Sequence, residues 1–226
     1  MNLKNECMKK LVVLTGAGIS AESGLKTFRD GDGLWEGHDV TKVATPQAWA
    51  ADAQLVLDFY NSRRKDVMAT EPNQAHKILA DMQCCFDVQI ITQNIDDLHE
   101  RAGSKNVLHL HGEIFKKRGS RDLHTWFDVR EDMLLHDIAP DGTVFRPAIV
   151  WFGEAVPLIE TAIEITKQAD IFVAVGTSLA VYPAASLLDY VSPQASLFLV
   201  DRKVPASVNR QAIAVIEQPA TLGMKT

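Results

Sequence analysis

Two short stretches hold the residues best suited to chemistry. In Val107-Leu-His-Leu-His-Gly112 the two-residue period of a strand sets His109 and His111 on one face. Three uses for such a pair stay open. A metal pair needs a third ligand, and the spacing of Glu113, His124 and His136 forms no recognised set. Two core histidines with satisfied nitrogens are the plain alternative. A general base is the third, because imidazole titrates near neutral pH and Gly112 opens space beside His111. The other stretch, Gln93-Asn-Ile-Asp96, follows the apolar run Phe86-Asp-Val-Gln-Ile-Ile-Thr92. Polar side chains at the C-terminal end of a parallel strand lie where open α/β sheets bind ligands, so Gln93, Asn94 and Asp96 become candidates. Asn94 or Asp96 could equally cap the following helix.

A third pair stands further upstream. Residues 46–68 read as helix, since Trp49, Val56, Phe59 and Tyr60 recur at three- and four-residue intervals. Tyr60 and Arg63 then project from one face. They form either part of a solvated Arg63-Arg64-Lys65 surface, or a phenol and a guanidinium that together grip a carboxylate.

Strands and turns must position these groups. Leu11 to Leu14 form a buried-strand run that leads directly into Gly16-Ala-Gly-Ile-Ser20, a strand-to-helix turn suited to a phosphate or to a plain bend. It lacks the third glycine of the dinucleotide fingerprint and the lysine of a P-loop. Residues 23–35 make a glycine-rich loop carrying Phe28 and Trp35, over a site or anchored to the core. Residues 73–82 read as a second helix, and Pro157 begins another that runs to about Gln168. Ile171 to Val175 is a buried strand ending in Gly176-Thr-Ser178, 186–190 completes a helix, and 196–200 is a strand closed by Asp201, which could hold ribose hydroxyls. This alternation implies a doubly wound parallel sheet with helices on both faces. Residues 113–146 lose the apolar periodicity and read as an excursion from it.

Composition narrows the classes. A formal charge of -6 argues against general nucleic-acid or anionic-membrane binding. Cys7, Cys84 and Cys85 make neither a disulfide framework nor a four-cysteine zinc site. A polar first ten residues and the lack of a membrane-length apolar run lead to a cytoplasmic expectation.

Taken in order, Gly16-Ala-Gly-Ile-Ser20 with Ser23-Gly24 and Phe28-Arg29, Thr92-Gln-Asn-Ile-Asp96 with Leu98-His99 and Ala102-Gly103, His111-Gly112, Phe152-Gly-Glu154 and Gly176-Thr-Ser178 resemble the sirtuin family of NAD-dependent protein-lysine deacylases. The resemblance spans nearly the whole chain. It implies a Rossmann-like NAD-binding domain over 1–25, 76–112 and 147–226, and a smaller, mainly helical domain inserted over 26–75 and 113–146. It implies NAD contacts from Gly16, Ala17, Gly18, Phe28 and Arg29, Gln93 on the ribose, Asn94 and Asp96 in a nicotinamide pocket, and Gly176, Thr177, Ser178 and Asp201 on the adenosine side. His111 becomes the general base. Val150, Trp151, Phe152, Gly153 and Glu154 would lie as a strand against an acyl-lysine peptide, opposite Val181 and Tyr182.

Two departures from the family pattern are informative. Residues 113–146 contain no cysteine, so no structural zinc is expected. Lys26-Thr27 replaces the common Pro-Asp, and together with Tyr60 and Arg63 this resembles the branch that removes malonyl and succinyl groups. A buried acyl carboxylate needs a paired cation, which Arg63 and the Tyr60 hydroxyl would supply. The implied products are nicotinamide, 2′-O-acyl-ADP-ribose and free lysine, with acetyl groups as further substrates. An NAD hydrolase or ADP-ribosyltransferase on the same fold, or a non-catalytic NAD-sensing module, are the alternatives.

Overall fold

A computed structural model describes residues 8–26, 34–35, 38–204 and 211–226. Its first strand, β1 (Lys10–Thr15), leads into the short helix α1 (Ala17–Ala21). A two-residue ribbon follows, β2 (Leu34–Trp35) with β3 (His38–Asp39), and then helices α2 (Val40–Val43), α3 (Pro46–Ala51), α4 (Ala53–Ala69) and α5 (Gln74–Asp81). Strand β4 (Asp87–Thr92), helix α6 (Leu98–Ala102) and strand β5 (Val107–His109) return the chain to the central sheet. Strands β6 (Gly112–Arg118), β7 (Trp126–Asp128) and β8 (Arg146–Ile149) leave it again. The chain closes with α7 (Ile159–Lys167), β9 (Ile171–Val175), a 3₁₀ segment (Ala184–Tyr190), β10 (Ser196–Val200), β11 (Ala214–Ile216) and α8 (Ala220–Gly223).

The central sheet has six parallel strands in the order β11-β10-β9-β1-β4-β5. β1 is paired along both edges, and from Leu11 onward its residues are buried because packed side chains cover both faces, so that they alternate between two cores. Leu11 and Val13 pack with Leu79 of α5, Ile90 and Val173, while Val12 and Leu14 pack with Ala162 of α7, Ile91, Phe172 and Leu187. The chain winds outward from β1 to β4 and β5, then crosses to β9 and winds the other way. The carboxyl ends of β1 and β9 therefore form the topological switch point, where sheets of this kind bind ligands.

The smaller part differs from a mainly helical insertion. Helices α2 to α4 contribute to it, but β6, β7 and β8 form an antiparallel sheet in the order β7-β6-β8. The charges that blur its apolar pattern include Arg118 and Arg146, which are buried, 7% and 5% exposed, beside Glu154. Leu57, Val129, Met133, Ala139 and Phe145 make a separate core in this part. Asn61 pairs with Met133 in both directions, donating to its carbonyl at 3.0 Å and accepting from its N–H at 2.9 Å. The Asp141 carboxylate gathers the N–H groups of Arg121, Asp122 and Thr143, each at 2.9 Å. These hydrogen bonds tie the 119–143 loops together, and among the described residues no group of three His, Cys, Asp or Glu is arranged to hold a metal.

Three local expectations are corrected. The helix over 46–68 breaks at Asp52, which ends α3 and caps α4 by accepting from Leu55 N–H at 2.9 Å. The strand over 107–112 ends at His109, and a turn separates it from β6. Residues 186–190 form part of a 3₁₀ segment rather than an α-helix. Among the described residues no helix is long and apolar enough to cross a membrane.

Candidate active site

The switch point is built by two interlocked turns. A Cβ on Gly18 would lie 2.7 Å from the Gly176 carbonyl oxygen, and one on Gly176, where φ is +61°, would lie 2.2 Å from Ile19 N. Gly18 N–H donates to Gly176 O at 2.8 Å. The glycines are thus required by backbone packing between the two turns, not only by close approach of a ligand. Ala17 sits at the start of α1 beside them.

Gln93 crosses between the turns: its N–H donates to Thr15 O at 2.9 Å and its side chain to Thr177 Oγ1 at 3.0 Å. Asn94 is buried, donating its side-chain amide to Gly16 O and Ser20 Oγ, both at 3.2 Å. It belongs to the crevice and not to a helix cap. Asp96 does both jobs: Oδ1 accepts from Leu98 N–H at 3.2 Å, and Oδ2 accepts from Ser20 Oγ at 3.1 Å. Burial raises the Asp96 pKa, opposed by those hydrogen bonds and by the nearby charges of His109 and Arg63. Ser178 is half-buried beside buried Thr177. Asp201, at the carboxyl end of β10, is buried and accepts from Lys203 N–H at 2.9 Å. Phe28 and Arg29 lie outside the described residues.

The two histidines take different roles. His109 places Nδ1 3.1 Å from the Asn94 carbonyl and Nε2 2.8 Å from a Glu100 carboxylate oxygen. Both partners accept, so both ring nitrogens serve as donors. Burial lowers its pKa, but Glu100 and the carbonyl outweigh that and the net direction is upward. His109 is a satisfied structural cation. His111 has Nδ1 3.0 Å from the Gln93 carbonyl, which can only accept. That bond assigns the proton to Nδ1 and leaves the Nε2 lone pair for chemistry. Burial, only partly opposed by the carbonyl, holds the His111 pKa below the usual imidazole value, so the ring is neutral near pH 7. Gly112 fixes the next step of the chain: its φ is +83°, and a Cβ there would meet Ala148 O at 2.0 Å.

Neither Arg63 nor Arg64 belongs to a solvated face. They are 7% and 1% exposed, and only Lys65 reaches water, pairing with Asp132. Arg64 stitches α4 to Ile114 O and Glu131 O. Arg63 donates to Lys26 O at 3.4 Å, and its charge acts on both Tyr60 and Asp96. Tyr60 is fully buried and accepts from Trp151 Nε1 at 3.1 Å. Burial drives its pKa upward, so the phenol stays protonated.

Residues 151–154 form a turn, not a strand. Glu154 N–H returns to Trp151 O at 3.0 Å, Phe152 N–H goes to Ala44 O, and Gly153 has a φ of +88°. Trp151 points into the core, whereas Phe152 and Tyr182 are exposed, with Val150 and Val181 half-buried near them in sequence.

Several site residues escaped sequence reasoning. Ser20 links Asn94 and Asp96 and lies 3.5 Å from His76 Nε2, and His76 packs against His99 with ring centroids 4.9 Å apart. His99 in turn contacts Thr15 Oγ1 at 3.0 Å. Ser20 and His99 fall within the motifs that carry the family resemblance but were given no role there, and nothing in the pattern of 73–82 oriented His76 toward α1. Asn73 does so by donating to Ile19 O at 2.7 Å.

A six-stranded parallel sheet with polar side chains gathered at the carboxyl ends of its strands places this chain among the doubly wound α/β proteins. The model of the Sir2 family matches residues 16–183, and the chain belongs to that family, the sirtuins. A Helicobacter pylori protein named NAD-dependent protein deacylase is 50% identical over 218 residues, covering 96% of this chain and 95% of the relative. A Bacteroides thetaiotaomicron protein of the same name is 50% identical over 224 residues, with 96% of each covered. Among solved structures, a Sir2 homologue bound to NAD superposes with a TM-score of 0.83 at 36% identity, covering 96% of this chain and 87% of that one.

Proposed function

We propose that this protein is an NAD-dependent protein-lysine deacylase that prefers acidic acyl groups, succinyl and malonyl, and also accepts acetyl. The observation that carries the catalytic part is the His111 bond to the Gln93 carbonyl, which supports a neutral ring with Nε2 left as a proton acceptor. The crevice fits a dinucleotide: Gln93, Asn94, Asp96, Thr177, Ser178 and Asp201 bring hydroxyl, amide and carboxylate groups to adjacent strand ends. When bound, NAD supplies an electrophilic ribose carbon with nicotinamide as its leaving group. Gly16, Ala17 and Gly18 are assigned to its phosphate side, with Phe28 and Arg29 as further contacts. Asn94 and Asp96 are assigned to the amide end, held in place by Ser20. His111 Nε2 takes the proton of a ribose hydroxyl.

The acyl preference rests on Tyr60 and Arg63. Arg63 is a buried cation whose field reaches both the Tyr60 hydroxyl and Asp96, an environment that would reward an acyl carboxylate. The acyl-lysine peptide is assigned to the Val150–Glu154 turn and to Val181 and Tyr182, where Phe152 and Tyr182 offer exposed aromatic surface. The reading includes a cytoplasmic location and no structural zinc, the latter supported by the absence of cysteine from 113–146.

The test is nicotinamide release followed with and without a succinyl-lysine peptide. Release that depends on the peptide, and that drops far more for succinyl than for acetyl peptide in Arg63→Met, is expected. Equal release without peptide would make the enzyme an NAD hydrolase, and no release at all would make it a sensor.

A further inference from the structure

Two neighbouring thiols just beyond α5 stand outside the chemistry of the crevice. Met82–Cys84 form a single 3₁₀ turn, Cys85 follows it, and Cys84 and Cys85 are both free and exposed. Their Sγ atoms lie 3.0 Å apart in a shared S–H···S contact, about 1 Å longer than an S–S bond. The backbone beneath them is anchored. Cys85 N–H and Phe86 N–H both donate to Met82 O at 3.0 Å. The Gln83 amide donates to Ala80 O at 2.7 Å and to Gly103 O at 3.0 Å, and its carbonyl accepts from Lys105 N–H at 2.9 Å. The two sulfurs therefore meet on a fixed turn that solutes can reach. This turn precedes the amino end of β4, whose six residues set it roughly 20 Å from the crevice at the other end of the strand. A metal site is not what the pair supplies, since among the described residues no group of three His, Cys, Asp or Glu is arranged to hold an ion. An activated nucleophile is not favoured either: the hydrogen bond with Cys85 raises the Cys84 pKa. What the geometry favours is a reaction in which both sulfurs take part.

We propose that Cys84 and Cys85 form a two-electron redox site, which a low-molecular-weight disulfide closes to a vicinal disulfide and free thiols reopen. One protein thiolate attacks the external disulfide, forming a mixed disulfide and releasing the first thiol. The neighbouring thiolate then attacks the protein sulfur of that link, the Cys84–Cys85 bond closes, and the second thiol leaves. The two protons given up by the protein thiols end on the two departing ones, so the protein is oxidised as the external disulfide is reduced. The second step is fast without any lowered pKa, because the attacking sulfur is already beside its target. Adjacent residues hold their Cα atoms about 3.8 Å apart, below the usual ~4.4–6.8 Å of a disulfide, so the closed ring is strained and readily reduced. Such a link is reversible rather than structural. The site is independent of the deacylase reading.

The experiment uses the full chain carrying Cys7→Ser, which keeps the pair and removes the remaining cysteine. It is incubated with oxidised glutathione, alkylated with iodoacetamide, and read by intact-protein and peptide mass spectrometry beside Cys84→Ser and Cys85→Ser in the same background. With both thiols present, the protein is expected to become lighter by two hydrogens, to resist alkylation at both positions and to retain no glutathione. Dithiothreitol should then restore both alkylation sites. The single variants, at exposed positions that tolerate serine, should stop at the mixed disulfide and carry one glutathione. Glutathione retained on Cys84 or Cys85 when both are present, a disulfide between two molecules, or full alkylation of both after treatment would overturn the proposal. A closed pair beside single variants that take up no glutathione would overturn the exchange route.

Discussion

Replacing His76 by glutamine should flatten the acid side of the stability curve. His76 is fully buried and burial pushes its pKa down to about 4, against a weak opposing charge from Glu100. An unfolded chain takes up that proton near pH 6.5, so the unfolded state binds more protons between pH 6.5 and 4. Stability from this source is therefore intact above pH 6.5 and is lost as pH falls toward the folded value. The shift implies a loss of about 2 kcal/mol between pH 7 and pH 5, and about 3 kcal/mol by pH 4. His99, held well below its usual value by burial and by the charges of His76 and His109, adds in the same direction. His109 titrates in the opposite sense, since its folded pKa is raised; His99 and His109 are both present in the two proteins, so the difference between the profiles reads His76. Urea unfolding of wild type and His76→Gln at pH 7, 6 and 5 gives the difference directly. The wild type should lose about 2 kcal/mol more than the variant by pH 5. Parallel pH profiles would refute the reasoning, because they would mean that His76 titrates alike in both states.

Other outcomes follow from single contacts. His111→Ala should abolish turnover while calorimetry still detects NAD binding, and full activity would remove His111 as the base. With the His111 pKa lowered by burial, the acid limb of kcat/KM should lie below pH 6.5, since the neutral ring is the active form. Asn61→Ala should destabilise the protein by about 2–3 kcal/mol in denaturant unfolding, because it strands the buried N–H and carbonyl of Met133. Gly112→Ala should be poorly folded or inactive, as its Cβ would overlap the Ala148 carbonyl.

The middle of the central sheet was legible because β1, β4 and β9 are mostly buried and read as apolar runs with polar residues at their carboxyl ends, whereas the half-exposed edge strand β11 gave no such run and was not expected. The same logic singled out Gln93, Asn94 and Asp96, whose side chains the structure gathers beside the turns at 16–20 and 176–178. It failed over 113–146, where the buried side chains are partly charged: Arg118 and Arg146 are inside because Glu154 is beside them, a pairing across the sequence that periodicity does not register. His109 and His111 looked equivalent by spacing, and only their acceptors separate them. The strand at 151–154 was expected from the family resemblance alone, yet the N–H groups of Trp151, Phe152 and Glu154 are committed within the fold. His76 was invisible for a related reason: a polar residue on an amphipathic helix reads as a solvent face until a neighbour such as Ser20 is known.

The most direct test of the account is a competition. Acetyl-, malonyl- and succinyl-lysine forms of one peptide, mixed at equal concentration with the enzyme and NAD, are followed by mass spectrometry, with an NAD-free mixture as control. The account predicts that succinyl and malonyl peptides are consumed first, with 2′-O-acyl-ADP-ribose formed in step and no loss without NAD. Consumption of the acetyl peptide ahead of both acidic ones would contradict the Tyr60–Arg63 clamp, and peptide loss without NAD would contradict the site.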